Sequence, residues 1–243
     1  MSVEAPAKHP LRGSSVLLAG ASGGLGRALA AEIHRRGGSL TMVGRSAERL
    51  ATVGTPGMRH AIDLERASGC DEAVARAIDH AGRLDVVINA VGVVAFGRVE
   101  ELSDEVLEQL FRTNVFLPMM LARAALERIE PGGAIVNISG VVAERPLPGM
   151  AAYAATKTAL RGFDEALARE VRGVKVRVID ARPPHTETGL AGRPLEGVAP
   201  AMPDGASPEL VATVICDALE RGARELGSAD FQALAEGAGR RGG

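Results

Sequence analysis

The 243-residue chain has no excess of charge: 28 basic residues stand against 30 acidic ones, the net charge is −2, and no run of five like charges occurs. That balance excludes an electrostatic footprint for nucleic acid or an anionic membrane, and it points to small-molecule partners. Long hydrophobic runs are missing too. The longest, residues 115–122, falls far short of the ~20 apolar residues of a spanning helix. The first thirteen residues carry Glu4, Lys8, His9, Arg12 and two prolines, with no apolar stretch of the signal-peptide kind after them. Cysteine is nearly absent. Cys70 and Cys216 lie far apart, without a CxxC or a neighbouring His cluster, which supports neither a disulfide framework nor a metal site. The expectation is a reduced, cytoplasmic protein with no membrane partner. At 46% apolar and 24% charged, the chain suits one large core and one enzyme-sized domain.

What is present is an alternation of apolar runs with amphipathic stretches. Strands are expected at 15–19, 39–43, 58–62, 85–89, 134–139 and 174–181, rich in Val, Ile or Leu and bounded by Gly, Asp or Asn. Helices are expected at 25–36, 68–81, 103–128 and 153–171, with Pro118 bending or restarting the third. This order predicts an α/β fold: a Rossmann-type doubly wound parallel sheet in three layers, as a single domain. Residues 182–207 are rich in proline and glycine, too irregular for core, and read as a flap over a site. Ser207-Pro208-Glu209 reopens a helix that runs to about Arg221 and stops at Gly222. The division is an N-terminal extension 1–13, a domain 14–235 and a frayed tail 236–243.

The first strand runs into Ala19-Gly20-Ala21-Ser22-Gly23-Gly24-Leu25-Gly26-Arg27, and a helix opens inside that loop. Gly20 permits a tight turn, the later glycines let backbone amides approach a pyrophosphate, and the helix dipole favours negative charge there. A tight strand-to-helix turn uses glycine for steric reasons as well, but the placement after strand one favours nucleotide binding. The spacing is neither GxGxxG nor a P-loop. It resembles the TGxxxGxG of short-chain dehydrogenases/reductases, with Ala19 in place of Thr.

That resemblance implies an active site of Tyr, Lys four residues on, a Ser on strand five and an Asn in the fourth crossover helix. The chain's one tyrosine, Tyr153, is followed by Lys157. With only Lys8, Lys157 and Lys175 present, chance places a lysine at that offset roughly 1% of the time. Ser139 ends strand five and Asn114 lies in Arg112-Thr113-Asn114-Val115. Asn89-Ala90-Val91-Gly92 stands where the family has NNAG, which implies cofactor contact at Asn89 and Ala90. The resemblance spans about residues 14–188.

Positions 153 and 157 share a helix face, so the Lys157 ammonium lies about one turn from the Tyr153 hydroxyl. A unit charge at about 5 Å in an effective dielectric near 20 stabilises a phenolate by roughly 3 kcal/mol, about two pKa units below ~10. Tyr153 is therefore expected to act as acid/base near neutral pH, with Ser139 bonding the substrate oxygen. Lys157 would also hold the nicotinamide ribose. The resemblance implies a water-linked relay role for Asn114; a helix-kink Asn bonded to backbone explains it nearly as well.

At the end of strand two the sequence reads Gly44-Arg45-Ser46, without the acid that would bond an NAD ribose. Arg45 offers a planar fork to a 2′-phosphate with Ser46 as second donor, so NADP(H) is the expected cofactor and NAD(H) the secondary one. A solvated loop charge is the plainer reading of Arg45. Asp63-Leu64 resembles the family's adenine-contacting pair, and an Asp after a strand is also an ordinary turn former. Asp85, at the opposite end of its strand, is read as structural. Strand six departs from the family: Ala181-Arg182 replaces a Pro-Gly pair, Pro184 has no N–H for the nicotinamide carboxamide, and Thr186 becomes the nearest donor. His185 is either a substrate contact or a solvated loop residue, and Leu147, Met150 and Leu190 hint at an apolar pocket.

The chain is thus expected to be an oxidoreductase that interconverts a carbonyl and an alcohol on a small molecule. A non-catalytic nucleotide-binding regulator or scaffold, and an epimerase or dehydratase with tightly held cofactor, are the alternatives. No recognisable seventh strand is seen, residues 225–231 being at best a short substitute, so a homodimer is expected before a tetramer.

Overall fold

The apolar runs are extended because they are buried on both faces. In the computed structural model, which describes residues 10–232, β1 (Ser15–Ala19) sends Val16 and Leu18 into one apolar cluster and Leu17 and Ala19 into another. Alternate side chains point to opposite faces of a strand, so a continuous apolar run is what a sheet covered on both sides requires. The remaining strands are β2 (Ser39–Gly44), β3 (Met58–Ala61), β4 (Val86–Asn89), β5 (Ala134–Ile138), β6 (Arg177–Ala181) and β7 (Glu225–Leu226). All pair in parallel, in the order β3-β2-β1-β4-β5-β6-β7. The order reverses between β1 and β4, which opens a crevice at the carboxyl ends of those strands.

The helices are α1 (Gly24–Arg35), α2 (Ala47–Ala51), α3 (Gly69–Ala81), α4 (Asp104–Phe111), α5 (Leu117–Leu126), α6 (Ala151–Glu170) and α7 (Pro208–Arg221). Leu29 and Ile33 of α1 join Val211 and Ile215 of α7 over one face of the sheet. Val74 of α3, Leu121 of α5 and Leu167 of α6 cover the other. The three layers of a Rossmann-type α/β fold result.

Several boundaries differ from the expectation. The strand expected from 174 begins at Arg177, because Val171–Val174 forms a 3-10 turn and Lys175 has φ of +59°, a left-handed conformation that no strand continues. The stretch 103–128 is not a uniform α-helix: α4 passes through a π-helical turn, Arg112–Phe116, into α5, and Pro118 stands in the first turn after it. Helix α2 was not foreseen; Ser46 caps it by accepting from Arg49 N at 3.1 Å. Of the segment 1–13, Leu11 is fully buried and its N–H donates to Glu220 of α7, so core contacts begin before residue 14. The tail 236–243 lies outside the described residues. Asp85 accepts from Ser15 N at 2.8 Å, away from the crevice. Helix α7 closes on Gly222 in the left-handed region. Among the described residues no helix is long and apolar enough to cross a membrane.

Candidate active site

A cavity of about 650 Å3 lies along the carboxyl ends of the strands. One end is built by the glycine loop. Gly20 has φ of +79°, and a Cβ there would come within 2.8 Å of the Ala90 backbone, so the turn passes where a side chain has no room. Gly23 precedes α1 and no side chain caps that helix, which leaves first-turn amides for a ligand at the cavity wall. Gly20, Ser22, Gly23, Gly24, Leu25 and Ala90 all line it. Gly26 does not. A Cβ on Gly26 would stand 2.1 Å from Gly20 O, so that glycine lets the helix pack under its own loop. Asn89 also stays outside the cavity, its Oδ1 accepting from Val91 N and shaping the turn after β4.

Beyond the loop, Arg45 is exposed, lines the cavity, and makes no hydrogen bond or ion pair among the described residues. Ser46 lines it too, but its hydroxyl donates to Glu48 while capping α2, which takes its proton away from the second-donor role expected of it. Arg49 of α2 also lines the cavity, its Nη2 donating to Ser22 O at 3.4 Å. Sequence reading missed it because it became a neighbour of Arg45 only through the unforeseen helix. Asp63 and Leu64 line the same end, with Asp63 Oδ1 accepting from Glu65 N.

Ser139, Tyr153 and Lys157 line the other end. Tyr153 and Lys157 lie one turn apart on α6, and the Lys157 Nζ is 5.8 Å from the Tyr153 ring centroid. The Nζ donates to Ile138 O at 2.8 Å. Burial pushes the Tyr153 phenol up to about 12, opposite to the lowering expected from the lysine charge. The cause is desolvation of the phenolate; the same burial lowers Lys157 to about 8, against the opposing fields of Asp180 and Asp164. Ser139 is almost fully buried and its hydroxyl donates to Asp180. Asn114 sits in the π-helical turn outside the cavity wall; its Oδ1 accepts from Val93 N at 3.0 Å and its Nδ2 donates to Val93 O and Thr156 Oγ1. Its side chain is thus bonded to backbone, tying the loop after β4 to α6.

The segment 182–207 lies over the cavity, its one strand-like pairing being Thr186 with Ala206. Thr186 lines the cavity and gives its hydroxyl proton to Pro184 O at 2.8 Å, which leaves its oxygen as an acceptor. His185 also lines it, with Nε2 3.3 Å from Glu187 Oε1. Thr188, which sequence reading passed over, lies against Gly24; the repeated Thr in Thr186-Glu187-Thr188 was the available signal. Val94, Phe96, Val142 and Met150 form an apolar cluster against which Tyr153 and Leu190 pack.

With this geometry in view, the relatives are informative. The description short chain dehydrogenase matches residues 14–197. An uncharacterized oxidoreductase of Methylorubrum extorquens is 31% identical over 222 residues, covering 84% of this chain and 90% of that protein. A hydroxynaphthalene reductase of Aspergillus fumigatus is 32% identical over 169 residues, 66% of this chain and 62% of that enzyme. The structure of a short chain dehydrogenase from Burkholderia cenocepacia in complex with NADP superposes with a TM-score of 0.79 at 25% identity, over 90% of this chain and 98% of that one. Sheet order, glycine loop and matched length lead to one conclusion: the chain belongs to the short-chain dehydrogenase family.

Proposed function

We propose that this protein is an NADP(H)-dependent oxidoreductase that interconverts a carbonyl and an alcohol, with NAD(H) the weaker cofactor and Tyr153 the acid/base. The observation that carries the reading is a single cavity with the glycine loop at one end and Ser139, Tyr153 and Lys157 at the other. The uncapped first turn of α1, with glycines where a Cβ would collide, fits a pyrophosphate held by backbone amides. Arg45 and Arg49 suit a 2′-phosphate, and Asp63 and Leu64 the adenine. Ala90 and Lys157 would hold the nicotinamide ribose, and Thr186 the carboxamide. Gly26, Asn89, Asn114 and Ser46 support these groups through packing and caps. When bound, the nicotinamide supplies or takes up the hydride.

At neutral pH the phenol, held up to about 12, carries its proton, which suits donation to an oxygen on which negative charge is developing. Lys157, at about 8, is charged at pH 7 and reduces the cost of the phenolate that donation leaves behind. In oxidation it is the phenolate form of Tyr153 that takes the proton from the alcohol, so that direction is favoured at alkaline pH. Ser139 fixes the position of the reacting oxygen, and the cluster around Phe96 and Met150 suits an apolar substrate body. Phe111, Phe116 and Met119 are exposed on the α4–α5 side, which supports a homodimer, a tetramer being the larger alternative. Two free, buried cysteines support a reducing compartment, the cytoplasm.

The test is a panel of ketones, aldehydes and alcohols followed at the NADPH absorbance band, with NADH in parallel. Consumption of NADPH in preference to NADH supports the reading. Cofactor binding with no turnover across the panel favours a regulator or scaffold; cofactor retained through purification without net consumption favours an epimerase or dehydratase.

A further inference from the structure

Past Tyr153 the cavity wall is mostly apolar, and its charge is of one sign. Asp63 and Glu65 are the only carboxylates among its described lining residues. Both follow β3, at the end read above as the adenine site, and Glu65 already accepts from Gln109 Nε2 and Thr113 Oγ1. The reacting end carries Arg145 and Arg193 instead. Arg145 stands just after the 3-10 turn Val141–Ala143, its N–H donating to Val141 O, close in the chain to Val142 of the apolar cluster. The Arg193 N–H donates to Leu190 O, and Leu190 packs on the same cluster. Two residues on, Leu195 N–H donates to Val94 O, also of that cluster. Both arginines therefore border the pocket suited to the substrate body, and both are exposed, which puts them at its mouth.

Neither has an anion. Among the described residues the Arg145 side chain makes no hydrogen bond and no ion pair, and Arg193 commits only its Nε, to Gly189 O at 3.0 Å. The carboxylates nearest in the chain do not line the cavity and have other partners. Glu144 pairs with Arg182 and Ser228, Glu187 with Gly205 N and His185, and Glu196 with Ser103 N and Oγ. NADP(H) has no need of the two arginines, since in the reading above its pyrophosphate lies on the first turn of α1 and its 2′-phosphate at Arg45 and Arg49. A guanidinium is a planar fork of donors that matches a carboxylate or phosphate through two parallel hydrogen bonds. Two such forks at the mouth of an apolar pocket, with Ser139 and Tyr153 inside it, complement a ligand with a carbonyl at one end, hydrocarbon in the middle and an oxyanion at the other.

We propose that Arg145 and Arg193 form an anion subsite, and that the substrate is a carbonyl or alcohol compound with an apolar body and a terminal carboxylate or phosphate. The inference rests on the carbonyl–alcohol reading above and names its substrate class. Solvent screens both exposed side chains, so the effect of each belongs at the low end of the range for a charge-assisted hydrogen bond.

The experiment follows NADPH oxidation with ω-oxo carboxylates of graded chain length, the corresponding ω-oxo alkyl phosphates, and the neutral methyl esters of both. In the wild-type chain kcat/KM for the best anion should exceed that for its neutral ester by about tenfold or more. In Arg145→Met/Arg193→Met that ratio should fall to within about twofold of unity, each single variant giving part of the loss, while the NADPH Kd moves by less than about twofold. A second readout needs no turnover: the alkanoate or alkyl phosphate of the best length, which lacks the carbonyl, should bind the NADPH-saturated wild type and bind the double variant about tenfold more weakly in calorimetry. A carboxylate preference or a phosphate preference identifies which oxyanion the arginines take, and either one supports the proposal when the double variant loses it. Equal turnover of anion and ester by the wild type, a preference that survives in the double variant, or a parallel loss of NADPH affinity overturns it, the last by assigning the arginines to the cofactor. Anion binding that depends on the two arginines, without turnover of any carbonyl or alcohol, overturns instead the functional reading and leaves the anion subsite standing.

Discussion

Gly24 lies so close to Thr188 that a Cβ on the glycine would stand 2.5 Å from Thr188 O and 2.6 Å from its Cα. The obstacles are backbone atoms, which cannot rotate aside. The 182–207 segment therefore rests on the glycine loop at a point that admits only glycine, and the two walls of the cavity are in register through that contact.

Gly24→Ala is expected to push the segment off the loop and raise the NADPH Kd by about tenfold or more, with the melting temperature nearly unchanged, since the contact is at the surface of the cleft. Gly26→Ala is expected to behave differently. Its Cβ would stand 2.1 Å from Gly20 O, inside the packing of loop on helix, and an overpacking cost of ~1–3 kcal/mol should lower Tm by roughly 5 °C. Calorimetry of binding and of melting separates the two; unchanged NADPH affinity in Gly24→Ala would show that the contact does not shape the site.

Tyr153→Phe keeps the ring and removes the transferable proton, so kcat should fall by roughly 100-fold or more while cofactor binding persists. With one tyrosine and no tryptophan in the chain, phenolate absorbance reports Tyr153 alone. Without cofactor its titration midpoint should lie near 12. A midpoint near neutrality would mean that the lysine field outweighs desolvation after all.

Lys157→Met should abolish turnover and yet stabilise the fold. The lysine titrates at about 8 when folded against 10.5 for the free group, so between those values the unfolded chain binds more protons and stability rises with pH. Below pH 8 both states are protonated and the native state bears the full cost of a buried ammonium, on the order of 3 kcal/mol. The variant's gain should thus be largest at pH 7 and fade as pH climbs from about 8 toward 10.5. Denaturant melts at pH 7 and above pH 10 measure it, and an equal effect at both would refute the linkage.

Arg45→Ala should weaken NADPH by about 1.5–3 kcal/mol and leave NADH nearly untouched. Gly44→Asp should turn preference toward NADH. A Cβ at Gly44 meets Ser22 Oγ and Leu50 Cδ2 at 3.5 Å, ordinary contact distance, so the carboxylate enters without displacing backbone and repels a 2′-phosphate. Equal losses for both cofactors in Arg45→Ala would place the arginine away from that phosphate.

Phe116 is 56% exposed in the π-helical turn, near half-exposed Phe111 and Met119. Phe116→Glu should convert a dimer to a monomer in light scattering at micromolar concentration, with the fold intact by circular dichroism. A wild-type monomer would remove the basis of the expectation.

Features that depend on local spacing were legible in the chain. Residues 153 and 157 share a face of any helix that contains them, closely spaced glycines after an apolar strand mark a tight strand-to-helix turn, and strands buried on both faces must be apolar throughout. Element ends were less legible. Lys175 in a left-handed conformation and the π-helical turn around Asn114 are settled by what the neighbouring elements require, and short α2 carries too little periodicity to announce itself.

By itself the sequence determined the sheet, the glycine loop and the shared helix face of Tyr153 and Lys157, because each follows from residue type and spacing over a few residues, while Ser139 was named through the resemblance to short-chain dehydrogenases/reductases. Tertiary structure alone decided how those groups are used. The Ser139 proton goes to Asp180, forty-one residues on, Thr188 lies against Gly24 from 164 residues further along the chain, and burial pushes the Tyr153 phenol up where the field of Lys157 alone would bring it down. Desolvation and proton direction are sums over every atom that surrounds a group, and most of those atoms come from parts of the chain that no local spacing connects.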